Sequence, residues 1–557
     1  VLAAIAFLNG LLALDFPAGE NPAASLFRAA PDALAALACA GLASRAPSPW
    51  SRRLLVPLAA LVLGLRLFRS ADLLVPLVFN RPFNLYLDAP RLPDLLANFG
   101  LTRPAAGLLA AGGGALAAAA ALAWTVWRAL AAVEEGLAAA GAARRAALAA
   151  GAALGLAVAG AHLGPEPFRL AAPGILPRVA EEARFILDLD QTRAGHREAI
   201  ARAAARTRAA PADLARLRGA TVLIFVVESY GESAFSDPRF STAVRRAAAA
   251  AERRLQAAGR RALSGYFASP TFGGSSWLAH GTLESGVRLA CELRHGLLLE
   301  ADFVPLAEIY NRAGYRTVRA MPGTLWPWPA GAVFRYQRTY IAPDFGYRGP
   351  AFSWNPVPDQ FALDWIDRRE IRTADRPLLA EFILGDSHAP WDVLPPRVAP
   401  WELIGDGRGF ERLPPRRFPT SWTALAEAAE AYGEFIAHEL ELIAEFICRA
   451  LPEEGLAVIL GDHQPCRELL GAEPSHAVPV HLVSGRADLL EAIGGGDFIP
   501  GMAPGPPPPH PGLERLFSLL TAGLSAGQVE PVRRRKETPW PSNKSWSMPA
   551  TGSSPSP

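Results

Sequence analysis

Acid, imidazole and hydroxyl side chains recur in this sequence directly after short apolar runs. Glu228 and Ser229 follow Val222-Leu223-Ile224-Phe225-Val226-Val227, His388 closes Leu384-Gly385-Asp386-Ser387-His388, and Asp462 and His463 follow Val458-Ile459-Leu460-Gly461. Glu228, Asp462 and His463 together are a ligand set for a divalent cation: carboxylate oxygens suit a hard ion and imidazole a borderline one such as zinc. A hydroxyl on the same ion loses its proton more readily and becomes a nucleophile. Pro270-Thr271-Phe272-Gly273-Gly274-Ser275-Ser276-Trp277 offers two hydroxyls in a loop that feeds a helix. At a helix start, unpaired N–H groups and the positive dipole end favour an anion such as phosphate. One of Ser275 and Ser276 is expected to cap or support the helix, and the other to attack. His388 suits hydrogen bonding to a phosphoryl oxygen or protonation of a leaving group. His476, just before Val478-Pro479-Val480, is a candidate for the same rim. Trp326, in Thr324-Leu325-Trp326-Pro327-Trp328, is a candidate apolar wall, with buried packing as its plainer role.

Each of these residues alone has an ordinary explanation, as a loop carboxylate, a helix cap or a surface histidine. Their shared position after apolar runs argues for more. Such runs, bounded by turn residues, read as strands buried on both faces of a parallel sheet. In open α/β sheets, ligands bind beyond the carboxyl ends of the strands. Strands are expected at 221–227, 316–320, 379–384, 456–460 and 478–483, and helices at 242–259, 303–313, 423–451 and, shorter, near 513–523. Their alternation predicts an α/β fold with a mostly parallel sheet covered by helices. Glu228, His388, Asp462 and His463 would then meet at one edge of it.

The first third of the chain reads differently. Of 557 residues, 50% are hydrophobic and only 19% are charged, and the charges are sparse near the start. Apolar stretches at 1–14, 31–47, 53–69, 105–128 and 144–163 predict a bundle of about five membrane spans, since one crossing takes about 20 apolar residues. Residues 72–98, interrupted by Pro76, Pro82, Pro90 and Pro93, read as an interfacial or loop segment. Arg45, Arg52 and Arg53 flank one connection and Arg128, Arg144 and Arg145 another. The positive-inside rule puts these loops in the cytoplasm and everything after about residue 165 outside it. A cleaved signal peptide is not expected, because no positive segment precedes the first apolar stretch and others follow. The division predicted is a transmembrane helical domain at 1–164, a juxtamembrane helical connector at 165–218 and a catalytic domain at 219–502. A Pro-rich linker, a short helix and a disordered tail complete it at 503–557. The net charge of +2 speaks against a nucleic-acid partner. The four cysteines (Cys39, Cys291, Cys448, Cys466) form no CxxC pair, so neither a zinc knuckle nor a disulfide framework is indicated.

Val227-Glu228-Ser229-Tyr230-Gly231, Pro270-Thr271-Phe272-Gly273-Gly274 and Gly461-Asp462-His463-Gln464-Pro465 resemble the sulfatase-like branch of the alkaline phosphatase superfamily. Within it, the membrane-then-catalytic plan is most similar to lipoteichoic acid synthases and to phosphoglycerol and phosphoethanolamine transferases. The resemblance implies that Glu228, Asp462, His463 and Ser276 bind a divalent metal (manganese, zinc or magnesium). It also implies that Ser276, with Ser275 as the fallback, is the nucleophile in place of the usual threonine. His388 would contact the substrate phosphate, and His476 a second metal or the phosphate. Trp277 and His280 stand where small and acidic residues are usual, and the Cys/Ser-x-Pro-x-Arg motif of true sulfatases is missing from the nucleophile position. The implied activity is a membrane-anchored phosphotransferase in a bacterial inner membrane, acting outside the cytoplasm through a phosphoryl-serine intermediate. Its donor would be a membrane lipid and its acceptor a glycan or lipid. A phosphoester hydrolase, a catalytically silent glycan- or lipid-binding module, and a transport or scaffold role for the bundle are the alternatives. Few ionisable residues lie within the apolar stretches, which weighs against transport.

Overall fold

The computed structural model describes residues 1–14, 30–43, 49–79, 83–91, 105–139, 141, 175–422, 424–471, 475–505 and 510–526. The chain divides into two compact units between Asp190 and Gln191.

In the first unit, helices Leu2–Ala13, Pro31–Ala43, Pro49–Phe79 and Ala105–Ala138 pack around Leu8, Leu12, Ala33, Leu55, Val62, Val126 and Leu130. Two of them contain segments long and apolar enough to cross a membrane, Arg53–Val75 and Leu116–Gly136. The helices at 2–13 and 31–43 have 12 and 13 residues, short of a full crossing, and the expected fifth stretch at 144–163 lies outside the described residues. Arg66, a charge inside an apolar helix, donates to the carbonyl oxygens of Leu14 at 2.6 Å and Leu11 at 3.4 Å. It thereby supplies partners to carbonyls that the end of the first helix leaves unpaired. The segment expected to leave the helical state at 72 does so later: the third helix continues through Pro76 to Phe79. A proline in the last turn removes only one backbone donor, which an otherwise continuous helix tolerates. The carboxylate of Asp32 accepts from the amides of Ile175 and Leu176 at 2.7 and 3.0 Å, capping the helix Ile175–Leu187.

The second unit is built on an α/β sheet. Its strands are β1 (Val222–Val227), β2 (Arg261–Ala268), β3 (Arg316–Met321), β4 (Arg338–Ile341), β5 (Leu378–Leu384), β6 (Val393–Leu394), β7 (Arg416–Arg417), β8 (Leu456–Gly461), β9 (Ala477–Ser484) and β10 (Ile499–Pro500). Eight of these form one sheet in the order β10-β2-β9-β8-β1-β5-β3-β4, while β6 and β7 pair separately. From β8 to β4 every pairing is parallel; β9, β2 and β10 add antiparallel pairings at the other side. All five expected strands form, each within a residue or so of its expected limits. The sheet also gains β4, β10 and, longest of the three, β2, none of which was expected. The β2 sequence, Arg-Ala-Leu-Ser-Gly-Tyr-Phe-Ala, mixes small, charged and apolar residues without a period-two pattern, so its burial comes from its neighbours rather than from its own hydrophobicity.

Every residue of β1 is buried, and its side chains alternate between two cores. Leu223, Phe225 and Val227 face one core, with helices Ser241–Ala257 and Ala429–Ala450. Val222, Ile224 and Val226 face the other, with helices Ser276–Ser285, Leu306–Arg312 and Arg515–Leu520. Phe225 stacks on Phe382 of β5 with ring centroids 5.0 Å apart, and both meet Phe446 edge-on. Cys39, Cys291, Cys448 and Cys466 are free thiols.

A buried ion-pair cluster ties the helix Ser276–Ser285 to the sheet. Arg319 of β3 pairs with Glu381 of β5 and, at 3.0 Å, with Glu284 of that helix. Its guanidinium also lies 4.3 Å from the ring centroid of Tyr336, whose hydroxyl donates to Glu284 at 2.6 Å. All three charged groups are essentially inaccessible to water. Removing the cation alone strands two carboxylates in a low-dielectric interior. Arg319→Met should therefore cost about 3–5 kcal/mol and lower the unfolding midpoint of the purified protein; an unchanged midpoint in thermal unfolding would refute the anchor.

Candidate metal centre

Strand register brings the chemistry together. In the parallel pairings of β1, Val227 lies opposite both Leu384 of β5 and Gly461 of β8. The next residues of the three strands, Glu228, Gly385 and Asp462, therefore emerge abreast at one edge. Gly461 is required there: a Cβ at this position would sit 1.7 Å from the carbonyl oxygen of Tyr230, so only glycine lets the two strand ends close. The turn after β1 is held by Ser229, whose backbone is left-handed (φ 59°), a conformation non-glycine residues adopt at a cost and often at functional sites. The Ser229 amide donates to Asp462 Oδ1 at 2.8 Å, and the Tyr432 hydroxyl donates to the Ser229 carbonyl at 2.9 Å.

One ligand atom from each of Glu228, Asp462 and His463 lies within 4.8 Å of the others. His463 Nε2 is 3.2 Å from Glu228 Oε1 and 3.4 Å from Asp462 Oδ2. Its other ring nitrogen, Nδ1, donates to the Gln464 carbonyl at 2.7 Å, which turns Nε2 towards the two acids. Ser276 completes the group: its hydroxyl donates to Glu228 Oε2 at 3.0 Å and lies 3.1 Å from His463 Nε2. It is the first residue of the helix Ser276–Ser285. Ser275, the N-cap with φ 58°, makes no side-chain capping bond, and its buried hydroxyl has no hydrogen-bond partner among the described residues. The geometry thus separates the two serines, joining Ser276 and not Ser275 to the acid–imidazole group. The preceding loop is braced by Thr271, which donates to the Gly274 carbonyl at 2.7 Å, and by the Gly273 amide, which donates to the Gln464 carbonyl at 3.1 Å.

The donor set fits a divalent cation. Asp462 Oδ2 is buried without a hydrogen-bond partner among the described residues, an expensive state for a carboxylate oxygen. His280, one helical turn beyond Ser276, places its own unpartnered Nε2 4.0 Å from that oxygen. Burial pushes the His280 imidazole down to about 4, leaving a neutral ring with a free lone pair. At Asp462, burial and then the Glu228 charge push the carboxyl upward. Burial also opposes the Glu228 charge, but the His463 imidazolium overrides it and holds that carboxyl well below the usual range. For His463, burial favours the neutral ring, yet Asp462 and Glu228 outweigh it and push the imidazole up to about 9.

No family model matches the chain, and no curated protein sequence matches it. Among the solved structures similar to it are a synthase and two transferases. The lipoteichoic acid synthase LtaP of Listeria monocytogenes is 13% identical with a TM-score of 0.33, the match covering 47% of this chain and 65% of that one. The match thus spans just under two thirds of the LtaP chain. The Streptococcus pyogenes phosphoglycerol transferase GacH, in complex with sn-glycerol-1-phosphate, is 12% identical with a TM-score of 0.33, covering 52% of this chain and 75% of that one. The integral membrane lipooligosaccharide phosphoethanolamine transferase A (EptA) of Neisseria meningitidis is 15% identical with a TM-score of 0.43, covering 94% of this chain and 95% of that one.

The remaining sequence candidates divide. His388 lies at the same sheet edge, and the preceding residue, Ser387, donates to the Glu228 carbonyl at 2.7 Å. Its ring stacks on Trp354, with centroids 4.0 Å apart, and meets Trp422 edge-on. His476 is exposed and lies beside Phe272, in the loop that precedes Ser276. Trp326 and Trp354 are similarly exposed, at 46% and 45%; Trp354, packed against Gly323, is the ring that stacks on His388. Neither Trp354 nor His280 was singled out as a site residue. For His280 a signal existed, the four-residue spacing from Ser276 on one helix face. For Trp354 there was none, because its loop reaches the site only through tertiary packing.

A cation entering through His463 Nε2 must displace a proton. With the imidazole at about 9, the protonated form dominates below that pH, so affinity for the ion should rise with pH up to that point. Calorimetric titration with manganese or zinc near neutral pH, in buffers of different ionisation heat, should report release of at least about one proton per ion. Ion binding without proton release would contradict this electrostatic picture.

Proposed function

We propose that this chain is a membrane-anchored, metal-dependent phosphotransferase acting outside the cytoplasm of a bacterial cell, on the head group of a membrane phospholipid. The observation that carries the reading is the placement of Ser276 Oγ at a helix start, 3.0 Å from Glu228 and 3.1 Å from His463. Glu228, Asp462, His463 and Ser276 would hold the ion, whose contribution when bound is to lower the pKa of the hydroxyl and offset charge on the phosphoryl oxygens. The two apolar segments long enough to cross a membrane would keep the site close to lipid substrate.

The chain's own residues account for the rest. The Ser276 hydroxyl gives its proton to Glu228 as its oxygen bonds to phosphorus. The bond from phosphorus to the lipid alcohol breaks, and His388 protonates the departing oxygen. This leaves a phosphoryl-serine ester. A glycan or lipid hydroxyl then attacks the same phosphorus and gives its proton to the now neutral His388, while the bond from phosphorus to Ser276 breaks and the serine oxygen takes back the proton held by Glu228. Amides of the first helical turn and His388 are suited to hold the phosphoryl oxygens through both steps. The stacked Trp354 and His388 rings give the departing and entering groups an amphipathic wall. The transferred group is proposed to be phosphoglycerol or phosphoethanolamine.

Purified protein incubated with head-group-labelled phospholipid and manganese or zinc, then quenched and mapped by mass spectrometry, should carry the label on Ser276. Ser276→Ala should abolish the adduct and lower turnover by more than about 10³-fold, whereas Ser275→Ala should retain the adduct. Label on neither serine would end the proposal and favour a silent binding module. An adduct that passes only to water, whatever glycan or lipid is offered, would identify a hydrolase instead.

A further inference from the structure

A second group of potential ligands lies behind the His388 loop and takes no part in the chemistry above. Glu439, in the helix Ala429–Ala450, is completely buried, and neither of its carboxylate oxygens has a hydrogen-bond partner among the described residues. Asp386, just past the end of β5, is 3% exposed. One ligand atom from each of Asp386, His438 and Glu439 lies within 4.8 Å of the others.

The surroundings make this arrangement costly without a cation. Asp359, also fully buried, accepts from the amides of Gly385 at 2.8 Å and Asp386 at 2.6 Å. Asp386 in turn accepts from Asn355 Nδ2 at 2.8 Å and from the Asp359 amide at 3.0 Å. These bonds orient Asp386 and leave each of its oxygens a further lone pair. They do nothing for Glu439. Burial, then the charges of Asp359 and Asp386, push its carboxyl upward. The arginine that acts on it, Arg397, is itself bonded to Glu441 and Glu445. A buried acid without hydrogen bonds or a counter-charge is among the most expensive states in a protein interior. Simple protonation would answer the charge, but as the side chains stand no acceptor among the described residues lies within hydrogen-bond distance of either Glu439 oxygen.

We propose that Asp386, His438 and Glu439 form a second, buried divalent-cation site, which ties the helix Ala429–Ala450 to the end of β5 and steadies the loop that presents His388. Two carboxylates and an imidazole suit manganese or zinc. Zinc–ligand distances of about 2.0–2.2 Å ask these atoms to draw together slightly, within reach of side-chain rotation. The site is structural and stands independently of the Ser276 mechanism.

Metal content per chain decides it. Full-length protein in detergent is equilibrated with manganese or zinc, freed of unbound ion, and measured by inductively coupled plasma mass spectrometry. The double variant Glu228→Gln/Asp462→Asn, crippled at the first centre, should still hold one ion per chain. Adding Glu439→Gln to that background should remove it. Should the triple variant fail to fold, His438→Gln in the same background replaces it and should remove the ion likewise. A double variant with no ion, or an added Glu439→Gln or His438→Gln that leaves the ion in place, would overturn the second site. Because each readout is made with the first centre disabled, loss of the Ser276 proposal would leave the answer intact.

Discussion

Two carboxylates set side by side in a buried cleft repel each other, and the rest of the second unit is organised around that repulsion. Glu228 and Asp462 are adjacent because β1 and β8 are parallel neighbours in register, and His463 holds them together with Nε2 between them. The backbone is bent to this end. Gly461 lets the strand ends approach, Ser229 accepts a left-handed turn so that its amide meets Asp462, and Tyr432 fixes the Ser229 carbonyl from the opposite core. Favourable burial of the strands themselves, all apolar on both faces, supplies the stability that such strained and charged ends consume.

The hydroxyl arrives from elsewhere in the chain, on a helix whose position is set by a different electrostatic device. Glu284, eight residues beyond Ser276, is clamped by Arg319 and Tyr336. The helix start is held by the loop contacts of Thr271 and Gly273. One end of the helix is thus anchored by a buried ion pair on the sheet, and the other end presents Ser276 to the acids. His280 follows on the same face and sets its ring beside Asp462, next to the acids and imidazole that stand at the strand ends. Behind His388 the same strand edge carries a further set of buried acids, so β5 and the helix Ala429–Ala450 concentrate negative charge on both sides of one loop.

Much of this was legible in the residues. Apolar runs buried on both faces, such as Val222–Val227 and Leu456–Gly461, need no partner to be recognised, because each residue in them is apolar whichever way it points; the more polar Arg316–Met321 was also found close to its observed limits, although its arginines are not part of any such run. Parallel strands put functional side chains at their carboxyl ends, so Glu228, Asp462, His463 and His388 could be assigned to one edge from chain position alone. Spacing along the nucleophile loop indicated Ser275 and Ser276. Elements whose stability comes from neighbours escaped notice: β2, buried between β9 and β10, and the continuation of the third helix past residue 72.

What sequence by itself determined was the strand ends and the acid, imidazole and hydroxyl side chains that stand at them, since hydrophobic run length and residue type are local properties of the chain. Tertiary structure alone decided which serine reaches the acids, because Ser275 and Ser276 differ only by the rotation that one left-handed residue imposes at the helix start. It also decided that Trp354 rather than Trp326 lies against His388, and that Glu439 is left without a partner beside Asp386. Those outcomes depend on distances between residues far apart in the chain, which only the packing of the folded sheet and its helices sets.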